Sequence, residues 1–219
     1  MCGAAREPIM GSMNSHDVVL ITGASKGLGF ALAKLLARRG HPLVINARGE
    51  EELRRAAQEL SGFTKVVAVA GDVSEVAETI AERAVKGFGR VDVLINNASE
   101  LGVMVPLVEH PWQSLERVFR VNVVAPLHLI QLLRPTTVIN ISSDAAANAY
   151  PRWGGYAASK AALEHASRTL AAENPEMRVL VIDPGDMNTE MHALAEPGVD
   201  LSHLPSADDA APRILEAVA

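Results

Sequence analysis

The residues best suited to chemistry are a tyrosine and a lysine in the segment Tyr156-Ala-Ala-Ser-Lys160. Residues four apart share one face of a helix, so the phenol and the ammonium group can point into the same pocket. A free tyrosine loses its proton only near pH ~10, but a lysine charge at ~4 Å contributes about 4 kcal/mol at an effective dielectric of ~20, roughly three pKa units. We therefore expect Lys160 to lower the pKa of Tyr156 and make the phenol a general acid and base near neutral pH. The spacing alone also arises by coincidence on surface helices, so the interpretation depends on the rest of the chain.

The composition restricts the class of protein. The chain has 219 residues, of which 48% are hydrophobic and 21% charged, and its formal net charge is −6. These values are typical of one globular domain and argue against nucleic acid and membrane as partners. No apolar stretch approaches the ~20 residues that span a bilayer, and the single cysteine, Cys2, suits a reducing cytoplasm, so we expect a cytoplasmic protein. Residues 1–16 are predicted to be a disordered extension that precedes a single domain at 17–219.

Short apolar runs alternate with longer amphipathic runs from Asp17 onward. The short runs are typical of parallel strands buried on both faces, and they are Val18–Thr22, Pro42–Ala47, Val66–Ala70, Val91–Asn96, Thr137–Ser142 and Val179–Asp183. The amphipathic runs predict helices at Phe30–Arg39, Glu50–Leu60, Ser74–Lys86, Trp112–Leu133, Gly155–Glu173 and Ala207–Val218. This alternation predicts an α/β fold, a single Rossmann-like doubly wound parallel sheet with helices on both faces. Residues 186–206 are predicted to be a substrate loop.

A glycine-rich turn joins the first predicted strand to the first helix, with the sequence Thr22-Gly23-Ala-Ser-Lys26-Gly27-Leu-Gly29. Glycines let the backbone approach a pyrophosphate, and the helix N-terminus supplies amide donors and a partial positive charge. A turn that binds nothing is the alternative, but the strand before it and the helix after it favour a dinucleotide. The expected cofactor contacts are Gly23, Ser25, Lys26, Gly27, Leu28 and Gly29.

The end of the second strand bears on the choice of cofactor. NAD sites usually carry an acid there for the ribose 2′-hydroxyl, whereas NADP sites need positive charge for a 2′-phosphate. The segment Asn46-Ala47-Arg48 has no acid, and Arg48 and Lys26 are two cations that can bind a phosphate. Either cation alone could equally be a solvated surface charge. Together they favour NADP, with NAD as the alternative.

These motifs jointly resemble the short-chain dehydrogenase/reductase family over roughly Asp17 to Thr189. The glycine loop has the family's TGxxxGxG pattern, and Tyr156 and Lys160 have its YxxxK pattern. Gly71-Asp72-Val73 is similar to its adenine-contacting segment, Asn96-Asn97-Ala98-Ser99 is similar to its NNAG motif with serine in the last place, and Pro184-Gly185 with Thr189 is similar to its PGxxxT motif. The resemblance implies further cofactor contacts from Asp72, Val73, Asn97, Ala98, Tyr156, Lys160, Pro184, Gly185, Met187 and Thr189.

The resemblance also implies a catalytic set. Asn122 matches a helix asparagine credited with a proton-relay water, and Ser143 matches the strand-end serine that binds the substrate oxygen, with Ser142 as the alternative. Tyr156 would then protonate that oxygen, while Lys160 would lower the phenol pKa and bind the nicotinamide ribose. We expect an oxidoreductase that transfers hydride between NADP(H) and a carbonyl or alcohol substrate. The alternative is a non-catalytic, NADP-sensing or regulatory Rossmann protein.

Substrate contacts are expected from three segments, Glu100–Met104, Asp144–Trp153 and Asp186–Pro205. Tyr150 and Trp153 either stack on the substrate or pack their own loop. The segments at 134–143 and 174–180 faintly resemble sepiapterin reductases, which leaves the substrate unnamed.

Family members associate through the two long helices and through a seventh strand. No strand-like run follows Asp183, so the resemblance predicts a sheet without that strand, a homodimer, and a tetramer only as a second possibility. We expect no metal site, because no second histidine or cysteine lies at ligand spacing from His192.

Overall fold

A computed structural model describes residues 13, 14 and 16–218, so most of the predicted extension lies outside the described residues. The described part contains one six-stranded parallel sheet with the spatial order β3-β2-β1-β4-β5-β6. The strands are β1 (Val19–Thr22), β2 (Leu43–Ala47), β3 (Val66–Ala70), β4 (Val93–Asn96), β5 (Thr137–Ile141) and β6 (Arg178–Ile182). The chain reverses its direction of sheet growth between β1 and β4, which opens a ligand crevice at the carboxyl ends of those strands. The predicted doubly wound sheet is confirmed, and each strand lies within two residues of its predicted bounds.

Helices cover both faces of the sheet. They are α1 (Gly27–Arg38), α2 (Glu50–Leu60), α3 (Ala77–Phe88), α4 (Trp112–Phe119), α5 (Ala125–Leu133), α6 (Gly154–Glu173), α7 (Glu190–Ala195) and α8 (Ala207–Val218). Side chains alternate along β1, because Ile21 joins the core formed with α1, α2 and α8, whereas Leu20 joins the core formed with α3 and α5. Burial on both faces explains why the strands read as continuous apolar runs.

The prediction of one continuous helix at Trp112–Leu133 is wrong for the middle of that segment. A π-helical turn at Arg120–Val124 separates α4 from α5, and the Ala125 amide donates to the carbonyl of Arg120, five residues earlier. Pro126 explains part of this change. In a regular helix the N–H of residue 126 would donate to the carbonyl of Asn122, but proline has no N–H. The wider turn therefore lies at Asn122, one of the predicted catalytic residues.

Three other elements differ from their predicted bounds by more than two residues. Helix α1 begins at Gly27 rather than Phe30, inside the glycine loop. Helix α3 begins at Ala77 rather than Ser74, because the Ser74 amide and hydroxyl both donate to the Asp72 carboxylate, at 2.9 and 2.6 Å, and form a turn before the helix. The predicted loop at 186–206 contains α7, a short helix whose start is capped by Thr189, which accepts from the amide of His192 at 3.3 Å.

The described residues contain no seventh strand, so β6 is an edge of the sheet. Helix α8 follows the 186–206 segment and packs on α1 through Ile214 and Leu215, which are both buried.

A chain of buried polar side chains joins β4, β5 and α6. The Asn96 amide donates to the Asn140 side-chain oxygen at 2.7 Å, the Asn140 amide donates to the Ser167 hydroxyl at 2.8 Å, and that hydroxyl donates to the carbonyl of Leu163 at 2.7 Å. All three side chains are almost fully buried. Because α6 carries Tyr156 and Lys160, this chain fixes the helix that carries the candidate chemistry against the sheet.

We predict that Asn140→Ala lowers the free energy of unfolding by about 2–4 kcal/mol, because it leaves the buried Asn96 amide unpaired and opens a cavity. Urea denaturation measures the change. Thr136→Ala is the control, since Thr136 is exposed and its hydroxyl bonds only the carbonyl of Asp92, and we expect a change within about 0.5 kcal/mol. Equal effects of the two variants would contradict a structural role for the buried chain.

Candidate active site

The first turns of α6 place Tyr156 and Lys160 beside the end of β5. Both side chains are buried, with 7% and 3% exposed. The Lys160 ammonium donates to the carbonyl of Ile141 at 2.7 Å, and its nitrogen lies 5.5 Å from the centre of the Tyr156 ring. Ser143 lies two residues after the end of β5, and its hydroxyl is close enough to the Tyr156 phenol to oppose the rise of the phenol pKa. The structure therefore brings Ser143, Tyr156 and Lys160 together as predicted.

The electrostatic balance at Tyr156 differs from the one predicted. Burial raises the pKa of Tyr156 to about 12, and hydrogen bonds from the Ser143 and Ser99 hydroxyls oppose that rise. Burial also lowers the pKa of Lys160 to about 8. The predicted lowering of the phenol pKa is wrong for this structure, because burial of the phenol raises its pKa and the Lys160 ammonium donates to the carbonyl of Ile141.

Asn122 is held by protein groups on all sides of its side-chain amide. Its oxygen accepts from the Glu100 amide at 2.7 Å and from the Ser99 hydroxyl at 3.2 Å. Its nitrogen donates to the Glu100 carbonyl at 2.9 Å and to the Ser159 hydroxyl at 2.9 Å. A carboxamide has two donors and two lone pairs, so this side chain has no capacity left for a water. A relay water at Asn122 would have to bind the backbone carbonyl, which Pro126 leaves without its regular helical donor.

Ser143 and Ser142 point to different surroundings. The Ser142 side chain is buried and donates to the Glu164 carboxylate at 2.6 Å. The Ser143 hydroxyl caps the short turn Asp144–Ala146, where it accepts from the Ala145 amide at 3.2 Å. The geometry therefore favours Ser143 over Ser142 as the serine that acts beside Tyr156.

The glycine loop packs closely against Asn97 and Ala98, the two residues that follow β4. A Cβ on Gly23 would lie 2.9 Å from the Cα of Ala98, and one on Gly29 would lie 2.3 Å from the Gly23 carbonyl oxygen, so neither position has space for a side chain. The Thr22 hydroxyl accepts from the amides of Asn97 and Ala98 at 3.1 and 3.0 Å. Asn97 and Ala98 therefore support the loop from beneath.

The mouth of this loop fits the pyrophosphate of a dinucleotide. Helix α1 has no side-chain cap and no acidic residue in its first turn, so its first amides remain directed outward. A Cβ on Gly27 would enter open space, and Gly27 has the positive φ that glycine permits. The Leu28 side chain is buried in the core, so only its backbone is available for a cofactor.

The predicted charged contacts of the cofactor are paired with opposite charges. Lys26 forms an exposed ion pair with Glu190, the first residue of α7, and hydrogen bonding to Glu190 raises the pKa of Lys26. Arg48 pairs with Glu100 at 3.0 Å. Because exposed ion pairs contribute only about 0–1 kcal/mol, a phosphate can displace these carboxylates at small cost.

The carboxylate of Asp72, the predicted adenine acceptor, also bonds with neighbouring side chains. Its carboxylate forms an ion pair with Arg117 and accepts from Ser74, while the neighbouring Val73 side chain is buried in the core.

The last predicted cofactor segment follows β6. Pro184 and Met187 are half-buried, and Gly185, whose amide donates to Asp183 at 2.9 Å, has a positive φ and open space where a Cβ would lie. Thr189 caps α7 with its hydroxyl, and Ser25 is half-buried in the glycine loop.

Aromatic side chains lead from the surface to the tyrosine. Tyr150 is exposed and donates to Asp144, its ring centre lies 5.8 Å from that of Trp153, and Trp153 meets Tyr156 edge-on at 5.9 Å. These contacts pack the loop at 144–153 and also form one wall beside the phenol, so both predicted roles remain open.

Among residues 13, 14 and 16–218 there is no group of histidine, cysteine and acidic side chains that could hold a metal ion. No helix in that part of the chain is long and apolar enough to cross a membrane.

Three roles at the site were missed in the sequence, although Glu100 and Glu190 lie in segments that were predicted to contact the substrate. Ser159 accepts from Asn122 and donates to the Tyr156 carbonyl at 2.6 Å, and its place just before Lys160 was the available signal. The charge partners Glu100 and Glu190 carried no signal, because the residues that they pair with are distant in sequence.

A family profile described as short chain dehydrogenase matches residues 17–199. The chain belongs to the short-chain dehydrogenase/reductase family.

Two relatives of this short-chain dehydrogenase/reductase are reductases. The NADPH-dependent pterin aldehyde reductase of Arabidopsis thaliana is 36% identical over 201 residues, which cover 84% of this chain and 81% of the relative. The sepiapterin reductase of Bos taurus is 36% identical over 216 residues, which cover 84% of this chain and 78% of the relative. A solved short chain dehydrogenase from Shigella flexneri 2a, complexed with NADP, is similar with a TM-score of 0.84 and 30% identity over 92% of this chain and 90% of that one. The family assigns the protein to the oxidoreductases.

Proposed function

We propose that this chain is an NADP-dependent carbonyl reductase that transfers hydride between NADP(H) and a carbonyl or alcohol substrate. The observation that carries the proposal is the buried phenol of Tyr156, which lies one helical turn from Lys160, with the buried Lys160 ammonium 5.5 Å from the centre of its ring. Burial of a titratable pair is costly, and titratable groups with strongly shifted pKa values cluster at functional sites.

The residues act on the substrate oxygen in a simple order. When bound, the nicotinamide cofactor supplies or accepts the hydride. The Ser143 hydroxyl donates a hydrogen bond to the carbonyl oxygen, and Tyr156 donates its proton to the same oxygen as negative charge develops there. The Lys160 ammonium stabilises the phenolate that remains, and it has three donors of which Ile141 takes one, so two are available for the ribose.

The cofactor preference rests on two cations at the phosphate end of the site. Lys26 lies within the glycine loop and Arg48 follows β2, and no acid stands at the end of β2 to hold a ribose 2′-hydroxyl. The NADP complex of the Shigella flexneri structure and the NADPH dependence of the Arabidopsis thaliana relative support the same preference.

We further propose a planar, polar carbonyl substrate of the pterin type. The names of the two reductase relatives support this class. So does the row of Tyr150 and Trp153 beside Tyr156, which offers aromatic surface to a flat ring, with the Asp144 carboxylate at its exposed end.

We also propose a homodimer that uses the α4 side of the molecule. A groove of about 520 Å³ is lined by Trp112, Leu115, Glu116, Phe119, Arg120 and Val124. Trp112 is 70% exposed and Val124 is 57% exposed, and large apolar side chains exposed together mark interaction surfaces. A second copy of this chain would bury the groove against its own.

We predict that Tyr156→Phe lowers kcat by ~10² or more, because one acid–base group contributes 10²–10⁴. NADPH binding, measured by calorimetry, should change less than about twofold, since the ring remains. Turnover is measured as NADPH oxidation with sepiapterin and with a panel of aldehydes, ketones and quinones. Unchanged turnover in the variant would refute the role of Tyr156. Tight NADPH binding with no oxidation of any of these compounds by the unaltered protein would favour the non-catalytic alternative.

We predict that Arg48→Ala raises the Kd for NADPH by about tenfold or more and leaves the Kd for NADH almost unchanged, because the lost hydrogen bond is to a charged phosphate. Calorimetric titration with each cofactor measures both constants. Arg54→Ala is a matched control, since Arg54 is an exposed arginine on α2 that pairs with Glu51. An equal effect of Arg48→Ala on both cofactors would contradict the NADP preference.

We predict that Trp112→Glu converts the homodimer to a monomer in sedimentation velocity experiments, because it places a charge in a buried apolar interface. Val85→Glu is the control, since Val85 is an exposed apolar residue on α3 and does not line the groove. A monomeric unaltered protein would refute the proposed homodimer. A dimer that survives Trp112→Glu would place the interface elsewhere.

A further inference from the structure

Ser99 occupies the last place of the NNAG-like motif, where the family pattern has a residue without a side chain. Its hydroxyl donates to the Asn122 side-chain oxygen at 3.2 Å, and its interaction with the Tyr156 phenol opposes the rise of the phenol pKa. The residue is half-buried. The Ser99 hydroxyl therefore interacts with both Asn122 and Tyr156, two residues of the predicted catalytic set that lie on different helical segments.

The Ser99 hydroxyl is free to change its partner. It has one proton and two lone pairs, so it can donate to only one group at a time. Asn122 does not depend on that proton, because its oxygen also accepts from the Glu100 amide at 2.7 Å. The proton can thus turn to the phenol oxygen when that oxygen carries a charge, and it can return to Asn122 when the phenol is neutral.

Ser143 cannot fill the same role throughout the reaction. Its hydroxyl also donates to the Asp144 carboxylate at 3.2 Å, and in the proposed mechanism it turns to the substrate oxygen. When Ser143 binds the substrate oxygen, the Ser99 hydroxyl is left to interact with the phenol of Tyr156.

We propose that Ser99 is a positioning residue for Tyr156, whose hydroxyl switches between the Asn122 amide oxygen and the phenolate and so stabilises the deprotonated tyrosine. The proposal rests on the proposed acid–base function of Tyr156. It explains how a site that buries the phenol, and thereby raises its pKa, recovers part of the stability of the phenolate in addition to what Lys160 supplies.

The chain has two tyrosines, which allows a direct test. In a Tyr150→Phe background, the ultraviolet absorbance of phenolate reports Tyr156 alone. We compare Ser99→Ala with Ser99→Thr, which keeps the hydroxyl, and with Ser142→Ala, which removes a hydroxyl that bonds Glu164 instead. Circular dichroism at the same pH checks that each variant is folded.

At a fixed alkaline pH we expect Ser99→Ala to reduce the fraction of phenolate about tenfold, which corresponds to a rise of about one unit in the pKa of Tyr156. Ser99→Thr and Ser142→Ala should stay within about twofold of the background. An unchanged fraction in Ser99→Ala, or an equal loss in Ser99→Thr, would overturn the proposal.

If alkali unfolds a variant, the pH profile of kcat/KM for alcohol oxidation replaces the titration. Tyr156 must be deprotonated in that direction, so a higher phenol pKa shifts the rising limb upward, by about one pH unit in Ser99→Ala. A limb that does not move would overturn the proposal. The absorbance titration needs no turnover, so it tests Ser99 even if the proposed reaction is refuted by Tyr156→Phe.

Discussion

The arrangement of the candidate site depends on the side-chain amide of Asn122. This one group hydrogen-bonds the backbone of Glu100 in both directions and also binds Ser99 and Ser159. It therefore connects the segment after β4, the widened turn between α4 and α5, and the start of α6. A buried carboxamide with all four of its positions satisfied has one favourable orientation, and any displacement would leave a polar group unpaired. The relative placement of Ser99 and Tyr156 follows from that single constraint.

Burial opposes the charged forms of the two titratable side chains at the centre of the candidate site. Removal of water raises the pKa of Tyr156 and lowers that of Lys160, so both groups are pushed toward their neutral forms. The lysine, with a pKa of about 8, still carries its proton at neutral pH. The hydroxyls beside the phenol act in the opposite direction to burial. Burial is the largest influence on the pKa of Tyr156, and the Ser143 and Ser99 hydroxyls oppose part of its effect.

The strands and the glycine loop could be predicted because their causes are local. Strands buried on both faces must be apolar throughout, and the position of Gly29 is fixed by a carbonyl only six residues earlier in the chain, that of Gly23. The π-helical turn was missed because the apolar pattern continues through it, and only Pro126 marks the change. The ion pairs were missed for a different reason. Lys26 and Glu190 are 164 positions apart, and nothing in either local sequence specifies the other.

Residues that are distant in sequence also hold the charged side chains at the phosphate end of the site in place. Arg48 is kept in place by Glu100, a residue whose backbone is fixed by Asn122 and whose carboxylate also lies 3.9 Å from Arg117. Arg117 in turn pairs with Asp72 at the end of β3. Positive and negative charges thus alternate from β2 to α4, so no cation stands without a nearby carboxylate in this row. Because each exposed pair contributes little, the row can hold Arg48 in an extended position and yet release it to a stronger ligand with two negative charges. Preorganised cations of this kind cost less side-chain entropy on binding than a free arginine would, which favours a phosphate that fits the row over one that does not.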